Sequence, residues 1–292
     1  MKILVTGSHG FVGSNLMKAF GSEFELISWD VRSDDPIPAT DAVIHLAGMV
    51  HDLKHTTEAA AYDRVNTGYT KKIYDQFLQS TASKFIFFSS IKAQDGDTPY
   101  ALSKKRAEEY IIENLELRIK RNEELRIKRN KEVYILRPCM ICGPGNKGNI
   151  KPLFKLVRKG LPWPLAAFDN QRSFASLDNV LFVVKELLTR DVESGIYPVC
   201  DDETLSTNDL VKLICECVGK PCHLWRIPQG LMRRVASLGD VLHLPLNSER
   251  LGKLTEDYVV DNSMLKRALG IQTMPFRLED GLRGSIQYMM KE

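Results

Sequence analysis

Tyr100-Ala-Leu-Ser-Lys104 sets a phenol and an ammonium four residues apart. On a helix that spacing puts both side chains on one face. A free tyrosine ionises near a pH of about 10 and is a poor base at neutral pH. A nearby ammonium and a positive nicotinamide ring favour its phenolate. Such a tyrosine exchanges a proton with a substrate hydroxyl while hydride moves to or from a cofactor. The spacing alone is common by chance. Here it follows the apolar run Phe85-Ile-Phe-Phe-Ser-Ser90 and lies downstream of a glycine-rich loop.

That loop is Gly7-Ser8-His9-Gly10-Phe11-Val12-Gly13, placed directly after Lys2-Ile-Leu-Val-Thr6 and opening a helical pattern. Gly7 permits a tight turn, Gly10 lets the backbone approach a pyrophosphate, and Gly13 lets the helix pack close to the strand. Backbone N–H groups and the helix dipole then hold the anion, with His9, Phe11 and Val12 beside it. Asp30 ends the second apolar run, 17 residues past Gly13. A carboxylate there accepts both adenosine ribose hydroxyls and repels a 2′-phosphate, which selects NAD; Arg32 close by leaves NADP open.

The elements that must hold these residues alternate. Strands are predicted over 3–6, 24–29, 42–47, 84–89 and 133–136, and helices over 13–20, 59–78 and 100–115, the second from the spacing Tyr62, Val65, Tyr69, Ile73, Phe77. Continuous apolar strands alternating with helices predict an α/β fold, a Rossmann-like doubly wound parallel sheet with helices on both faces. After Arg137-Pro138, proline and glycine become dense, and a smaller C-terminal α/β domain for substrate is expected to begin. The reading is a dinucleotide domain over 1–145, a return segment near 178–200 with a helix at 180–188 and a strand at 195–199, and a substrate domain in most of 146–292. Amphipathic helices at 208–218 and 263–268 are assigned to that second domain.

The 292 residues are 43% hydrophobic with a net charge of +3, which excludes disorder as the main state. No apolar run approaches the roughly 20 residues that span a membrane. Met1-Lys-Ile-Leu-Val5 runs directly into Thr6-Gly7, far short of a signal peptide's apolar core, so a cytoplasmic protein is expected. Six cysteines fit reduced thiols better than a disulfide scaffold. Cys139-Met-Ile-Cys142 lacks a second ligand pair and reads as buried thiols. Cys215, Cys217, Cys222 with His223, and the pair His51 and His55, are weaker still as ligand sets, so no metal is expected. Residues 117–132 hold two consecutive copies of Leu-Arg-Ile-Lys-Arg-Asn-x-Glu and carry a net +4, more than the whole chain. The repeat reads as a solvated insertion that extends the preceding helix or forms a polar hairpin; an acidic membrane surface or partner is the lesser alternative. The rest is near neutral, which argues against nucleic acid.

Taken in order, Gly7/Gly10/Gly13, His45-Leu-Ala-Gly48, Val65-Asn66, Ser89-Ser90, Tyr100/Lys104, Arg137-Pro138 with Gly143-Pro-Gly145, and Arg172-Ser-Phe resemble the nucleotide-sugar branch of the extended short-chain dehydrogenase/reductase family. The resemblance implies that Ser90 hydrogen-bonds the reacting sugar oxygen, that Tyr100 is the acid/base, and that Lys104 holds the nicotinamide ribose and tunes Tyr100. It implies that Leu46, Ala47 and Gly48 line the cofactor groove and that Asn66 supports it. Arg172, Asn149 and Arg250 fall where the family grips its substrate, the two arginines on the nucleotide diphosphate. It also implies a homodimer seamed by helices 59–78 and 100–115, with Ile73, Phe77 and Ile111 as candidates either for the seam or for the face against the sheet.

Three departures stand out. Only 14 residues separate Asp30 from His45, where the family fits another helix and strand. The link from Ser90 to Tyr100 is short. Cys142 replaces the family's tyrosine before Gly143-Pro144. Dehydratases of this branch carry an Asp-Glu pair after the catalytic hydroxyl, whereas Ser90 is followed by Ile91-Lys92. The expected activity is therefore NAD-dependent C4 epimerisation of a UDP-hexose or UDP-N-acetylhexosamine through a 4-keto intermediate. The alternatives are NAD(P)H-dependent reduction of a UDP-4-keto-6-deoxy-N-acetylhexosamine, and a dinucleotide sensor without chemistry, against which an intact Ser90, Tyr100 and Lys104 argue. Resemblance to enzymes of bacterial surface polysaccharides rests on Ser89-Ser-Ile-Lys92 and Arg158-Lys-Gly-Leu-Pro-Trp-Pro164.

Overall fold

The computed structural model describes residues 1–50, 58–125, 131–146, 148, 150–242 and 246–292. In chain order the elements are β1 (Lys2–Thr6), α1 (Phe11–Phe20), β2 (Glu25–Trp29), β3 (Ala42–His45), α2 (Ala59–Tyr62), a π-helical turn (Asp63–Gly68), α3 (Tyr69–Gln79), β4 (Lys84–Phe88), α4 (Lys92–Asp95), α5 (Pro99–Leu125), β5 (Glu132–Pro138), β6 (Met140–Cys142), α6 (Ile150–Arg158), β7 (Arg172–Ser176), α7 (Leu177–Thr189), β8 (Gly195–Val199), β9 (Thr204–Leu205), α8 (Thr207–Val218), α9 (Gln229–Leu242), α10 (Ser248–Thr255), α11 (Ser263–Leu269) and α12 (Leu278–Lys291). They group into two compact units, Met1–Cys139 with Val180–Val199 and Asn262–Gln272, and Met140–Asn179 with Cys200–Asp261 and Thr273–Glu292. The helix read from the sequence at 263–268 as part of the second unit groups with the first.

The first unit is built on a six-stranded sheet in the order β2-β1-β3-β4-β5-β8. Every pair in it is parallel. Parallel strands are covered on both faces, which is why β1, β3 and β4 are apolar almost without interruption. From β1 the chain moves to β2 on one side and then returns to β3 on the other. That reversal opens a crevice beyond the carboxyl ends of β1 and β3, the place where open α/β sheets take ligands. Residues 30–41 form neither helix nor strand, and β2 is the edge of the sheet. Val31 and Ile37 fold back from it into the core.

That core gathers Tyr74, Phe77, Phe85, Phe87, Ile111 and Val133. Ile73, Phe77 and Ile111 are fully buried within the chain. Their place is against the sheet, so they are not free to seam two copies together. Helix α5 runs on through Leu125, so the first copy of the repeat is helical, and the hairpin reading does not hold for it; residues 126–130 lie outside the described residues. Lys131, counted with the basic run, is half-buried instead. Its Nζ donates to the carbonyls of Phe77, Ser80 and Ala82 at 2.9, 2.8 and 2.6 Å, which neutralises the exposed carbonyl end of α3. Arg137 forks onto Glu108 on α5, with Nε to Oε1 at 3.0 Å and Nη2 to Oε2 at 2.6 Å.

The second unit has a three-stranded sheet, β6-β7-β9. Its core joins Phe154 of α6, Trp163, Phe174, Ile214 of α8, and Leu282 and Ile286 of α12. Asp201 ties β7 to the start of α7. It accepts from the Ser176 amide (2.9 Å), the Ser176 hydroxyl (3.0 Å) and Asn179 Nδ2 (2.6 Å). Cys139 and Cys142 are free, buried thiols, as read from the sequence. Among the described residues no His, Cys, Asp or Glu side chains gather in a group able to hold a metal; His51 and His55 lie outside them.

Candidate active site

The glycine loop bridges β1 and α1. Gly7 stands at φ +69°, and a Cβ on it would lie 2.6 Å from Ala47 N and 2.8 Å from Leu46 C. A side chain there would close the approach of the two loops that follow β1 and β3. Gly13 is held harder still: a Cβ would lie 2.2 Å from Gly7 O. Gly10 differs. Its φ is −72°, and a Cβ would meet only Gly7 O, at 3.2 Å. The fold therefore demands glycine at 7 and 13, whereas at 10 it merely prefers one. Helix α1 has no side-chain cap, so its first N–H groups, at Phe11, Val12 and Gly13, point into the crevice end unclaimed by any side chain. An uncapped N-terminus beside close-approaching glycines fits a dinucleotide pyrophosphate. His9 is exposed at this loop and its Nδ1 lies 3.2 Å from Ser8 Oγ.

Asp30 follows β2, as expected. Its carboxylate is forked by Arg32, with Nε to Oδ1 at 3.0 Å and Nη2 to Oδ2 at 2.7 Å, and it also accepts the Arg32 amide at 3.0 Å. These contacts lower its pKa to about 2, so the group is an anion at any working pH. The two residues that favour NAD and NADP from the sequence are thus a single exposed ion pair.

A hydrogen-bond chain fixes the loop after β3. Thr70 Oγ1 donates to Asn66 O (2.6 Å), so it accepts from His45 Nε2 (3.0 Å). His45 Nδ1 is then an acceptor for Thr6 Oγ1 (2.7 Å), which accepts the Ala47 amide (3.2 Å). His45 is fully buried and stacked on Phe87; burial drives its pKa down to about 3, so it stays neutral and keeps this tautomer. The sequence marked His45 only as part of a run. Its working partners, Thr6 and Thr70, lie 39 and 25 residues away and gave no local signal.

Asn66 sits in the π-helical turn, which interrupts what the periodicity predicts as one continuous helix. Its Oδ1 accepts the Met49 amide at 2.7 Å, and its Nδ2 donates to Met49 O (3.0 Å) and Ser103 Oγ (2.9 Å). Ser103 Oγ donates in turn to Tyr100 O at 2.7 Å. One amide therefore locks the Leu46–Gly48 loop to the helical turn that carries Tyr100. Leu46 and Ala47 are half-buried and Gly48 exposed.

Ser90 follows β4, and Tyr100 and Lys104 lie on the first turns of α5. Burial raises the Tyr100 pKa, and the neighbouring Ser90 hydroxyl offsets only part of that, so the net direction is up. The Tyr100 ring meets Tyr62 edge-on, 6.2 Å between centroids. Lys104 is buried; its Nζ donates to Phe88 O at 2.7 Å and lies 4.9 Å from the Phe87 ring centroid. A Cβ on Gly48 would stand 3.2 Å from that Nζ and 3.1 Å from Asn66 Oδ1. The missing side chain at 48 therefore brings the catalytic candidates to the edge of the cofactor crevice. The structure brings Ser90, Tyr100 and Lys104 together around it.

Burial lowers the Lys104 pKa to about 8, partly offset by Glu108 one turn along α5. The unfolded chain, with the ordinary lysine value of 10.5, then holds this proton more tightly than the folded one. Lys104 therefore costs stability below about pH 8, and the cost fades as pH rises toward about 10.5. Urea unfolding of the wild type and Lys104→Met at pH 7 and about pH 10 should show the difference moving in the wild type's favour at the higher pH. A difference that does not move with pH would mean Lys104 is not buried as a cation.

Arg172 opens β7 and is partly buried. Its Nη1 donates to the carbonyl of Lys253 in α10, while its buried Nε has no partner. Burial lowers its pKa. Arg250 lies on the first turn of the same α10, exposed, with its amide donating to Asn247 Oδ1 at 2.9 Å. Asn149 lies outside the described residues.

Residues 3–200 match the model of the NAD dependent epimerase/dehydratase family. The chain is 28% identical over 331 residues to a UDP-glucose 4-epimerase of Vibrio cholerae, covering 99% of this chain and 95% of that protein. It is 22% identical over 326 residues to an N-acetyl-alpha-D-glucosaminyl-diphospho-ditrans,octacis-undecaprenol 4-epimerase of Escherichia coli O157:H7, covering 98% and 94%. Among solved structures, a UDP-glucuronic acid 4-epimerase from Bacillus cereus in complex with NAD superposes with a TM-score of 0.72 at 18% identity, over 100% of this chain and 99% of the other. A match across two thirds of the chain, with the glycine loop and the Ser90, Tyr100 and Lys104 arrangement inside it, identifies this chain as a member of the NAD-dependent epimerase/dehydratase family.

Proposed function

We propose that the protein is an NAD-dependent enzyme that inverts C4 of a UDP-hexose or UDP-N-acetylhexosamine through a 4-keto intermediate. The observation that carries this reading is the Ser90 hydroxyl beside Tyr100, with Lys104 at the edge of the switch-point crevice beside Gly48. Gly7, Gly10 and Gly13 and the free end of α1 would hold the pyrophosphate, Asp30 the adenosine ribose, and Lys104 the nicotinamide ribose. Bound NAD would supply the hydride acceptor and donor at C4. Tyr100 Oη takes the proton of the 4-hydroxyl and returns it to the same oxygen once the 4-keto sugar has turned its other face to the cofactor, while Ser90 Oγ orients that oxygen. The buried, unpartnered Nε of Arg172 supports its role as a diphosphate ligand, with Arg250 and Asn149 as further candidates.

Two C4 epimerases among the relatives favour this over reduction of a 4-keto sugar. The E. coli relative's name makes N-acetylglucosamine on a polyprenyl diphosphate the second substrate to test. Six free thiols support a reducing, cytoplasmic setting, and no helix among the described residues is long and apolar enough to cross a membrane. A homodimer would use the outer faces of α3 and α5, since Ile73, Phe77 and Ile111 are covered by the sheet.

The test is incubation with UDP-glucose, UDP-N-acetylglucosamine, UDP-4-keto sugars and the lipid-linked sugar, with products read by NMR. C4 inversion without net consumption of reductant is expected. Stoichiometric use of NADH or NADPH with a 4-keto sugar would instead assign a reductase.

A further inference from the structure

The π-helical turn and the start of α5 meet through polar side chains sealed from solvent. Asn66 and Ser103 are fully buried, and Thr67 is 5% exposed. Polar groups at that depth cost stability unless they are bonded. Here each has its partner, and the partners converge on one residue.

That residue is Ser103. Its Oγ accepts from Asn66 Nδ2 at 2.9 Å and donates to Tyr100 O at 2.7 Å, and its own carbonyl accepts from Thr67 Oγ1 at 2.9 Å. Asn66 and Thr67 are neighbours in sequence, yet both grip the same residue of α5. The turn that carries them departs from regular α-helix, and π-turns inside helices are frequent at functional sites. Asn66 is itself fixed. One hydrogen of its Nδ2 goes to Met49 O (3.0 Å) and the other to Ser103, while its Oδ1 takes the Met49 amide (2.7 Å). With both hydrogens used, the amide cannot turn without losing a bond.

Ser103 stands between the two catalytic candidates. It directly precedes Lys104, and the carbonyl it bonds belongs to Tyr100. The α-helical ladder assigns that carbonyl to the Lys104 amide as well. Two further contacts join the same elements: the Tyr62 ring meets the Tyr100 ring edge-on at 6.2 Å, and Arg106 Nε donates to Asp63 Oδ1 at 2.9 Å. Fully buried, Ser103 offers no surface to a ligand, so any effect it has on the reaction passes through its neighbours.

We infer that Ser103, held by Asn66 and Thr67 of the π-helical turn, is a positioning residue that fixes the Tyr100 phenol relative to the Leu46–Gly48 loop. This rests on the acid/base role proposed for Tyr100. Reacting groups misplaced by about 1 Å lose rate on the order of 10²-fold, so a hydroxyl that touches no ligand can still set kcat.

Ser103→Ala and Thr67→Val test it, each removing one grip at nearly constant size. Ser103→Ala should lower kcat roughly tenfold to 100-fold and Thr67→Val roughly threefold to tenfold, with KM for the sugar and affinity for NAD within about twofold of wild type. A second readout needs no turnover. With tyrosine labelled with carbon-13 at the ring Cζ, the Tyr100 line, assigned by its loss in Tyr100→Phe, should shift or broaden in both ligand-free variants. The lines of remote tyrosines such as Tyr134 and Tyr197 should hold. A purely structural role would lower the melting temperature and leave kcat and the Tyr100 line of the folded protein unchanged. Slow turnover in Tyr100→Phe beside a wild-type kcat or an unmoved Tyr100 line in Ser103→Ala overturns the positioning role alone. Near-normal turnover in Tyr100→Phe overturns the acid/base role and this inference with it.

Discussion

Tyr100→Phe should lower turnover by about 10²–10⁴-fold while leaving cofactor affinity and the melting temperature near wild type. The substitution removes one oxygen. The ring keeps its edge contact with Tyr62 at 6.2 Å, and the backbone carbonyl keeps the Ser103 hydroxyl. What disappears is the hydroxyl beside Ser90, the group placed to take a proton from a sugar hydroxyl. Burial raises the Tyr100 pKa within the chain, and the neighbouring Ser90 hydroxyl opposes that. The wild-type rate should therefore rise with pH as the phenol ionises, and this limb should be missing from the residual activity of the variant. Ser90→Ala offers a second check, since loss of its hydroxyl should displace the rising limb to higher pH. Steady-state rates across pH, beside NAD titration by calorimetry, measure all of this. Near-normal turnover in Tyr100→Phe would remove the residue from the mechanism.

Local chemistry made much of this site legible in the sequence, and long-range contacts account for most of what was not. The glycine loop, the carboxylate ending β2 and the Tyr100/Lys104 pair all declare themselves within a few residues, because turn geometry and helical spacing are local properties. The alternation of apolar strands and helices likewise located all six strands of the main sheet, to within a residue or two at most ends. The network behind the crevice is different. Thr6, His45, Thr70 and Asn66 meet only because the parallel order β1-β3-β4 brings their elements together, and no spacing announces that. The π-helical turn escaped for a related reason. Its apolar positions fit ordinary helical periodicity, and the extra residue shows only in how Asn66 and Thr67 become buried. Ile73, Phe77 and Ile111 show the limit of an amphipathic pattern. It marks a face that must be buried, and it does not say whether a sheet or a second chain buries it. The small β6-β7-β9 sheet was missed because two of its strands are only three and two residues long.

Gly10→Val should abolish tight NAD binding in a protein that still folds, whereas Gly13→Val should lose both the cofactor and much of its stability. The difference follows from what each missing side chain would touch. At Gly13 a Cβ would sit 2.2 Å from Gly7 O and 2.8 Å from Ser8 Cα, so the start of α1 must shift away from β1. At Gly7 the backbone stands at φ +69° and a Cβ would strike Ala47 N at 2.6 Å. Both defects exist whether or not a ligand is bound. At Gly10 the φ of −72° suits any residue, and the one close neighbour is Gly7 O at 3.2 Å, a distance that a few tenths of an ångström would relieve. The protein alone therefore has little reason to require glycine at 10. Its reason is the ligand, because a side chain at the N-terminus of α1 occupies the space through which a pyrophosphate reaches the free N–H groups. The expected loss of NAD affinity is two orders of magnitude or more, about 3 kcal/mol, with a melting temperature within a few degrees of wild type. Gly13→Val should melt well below it, with overpacking strain of about 1–3 kcal/mol or more. Calorimetric titration with NAD and thermal unfolding of the two variants separate these outcomes. Unchanged NAD affinity in Gly10→Val would mean that the pyrophosphate does not lie on this loop, even if Gly13→Val fails as expected.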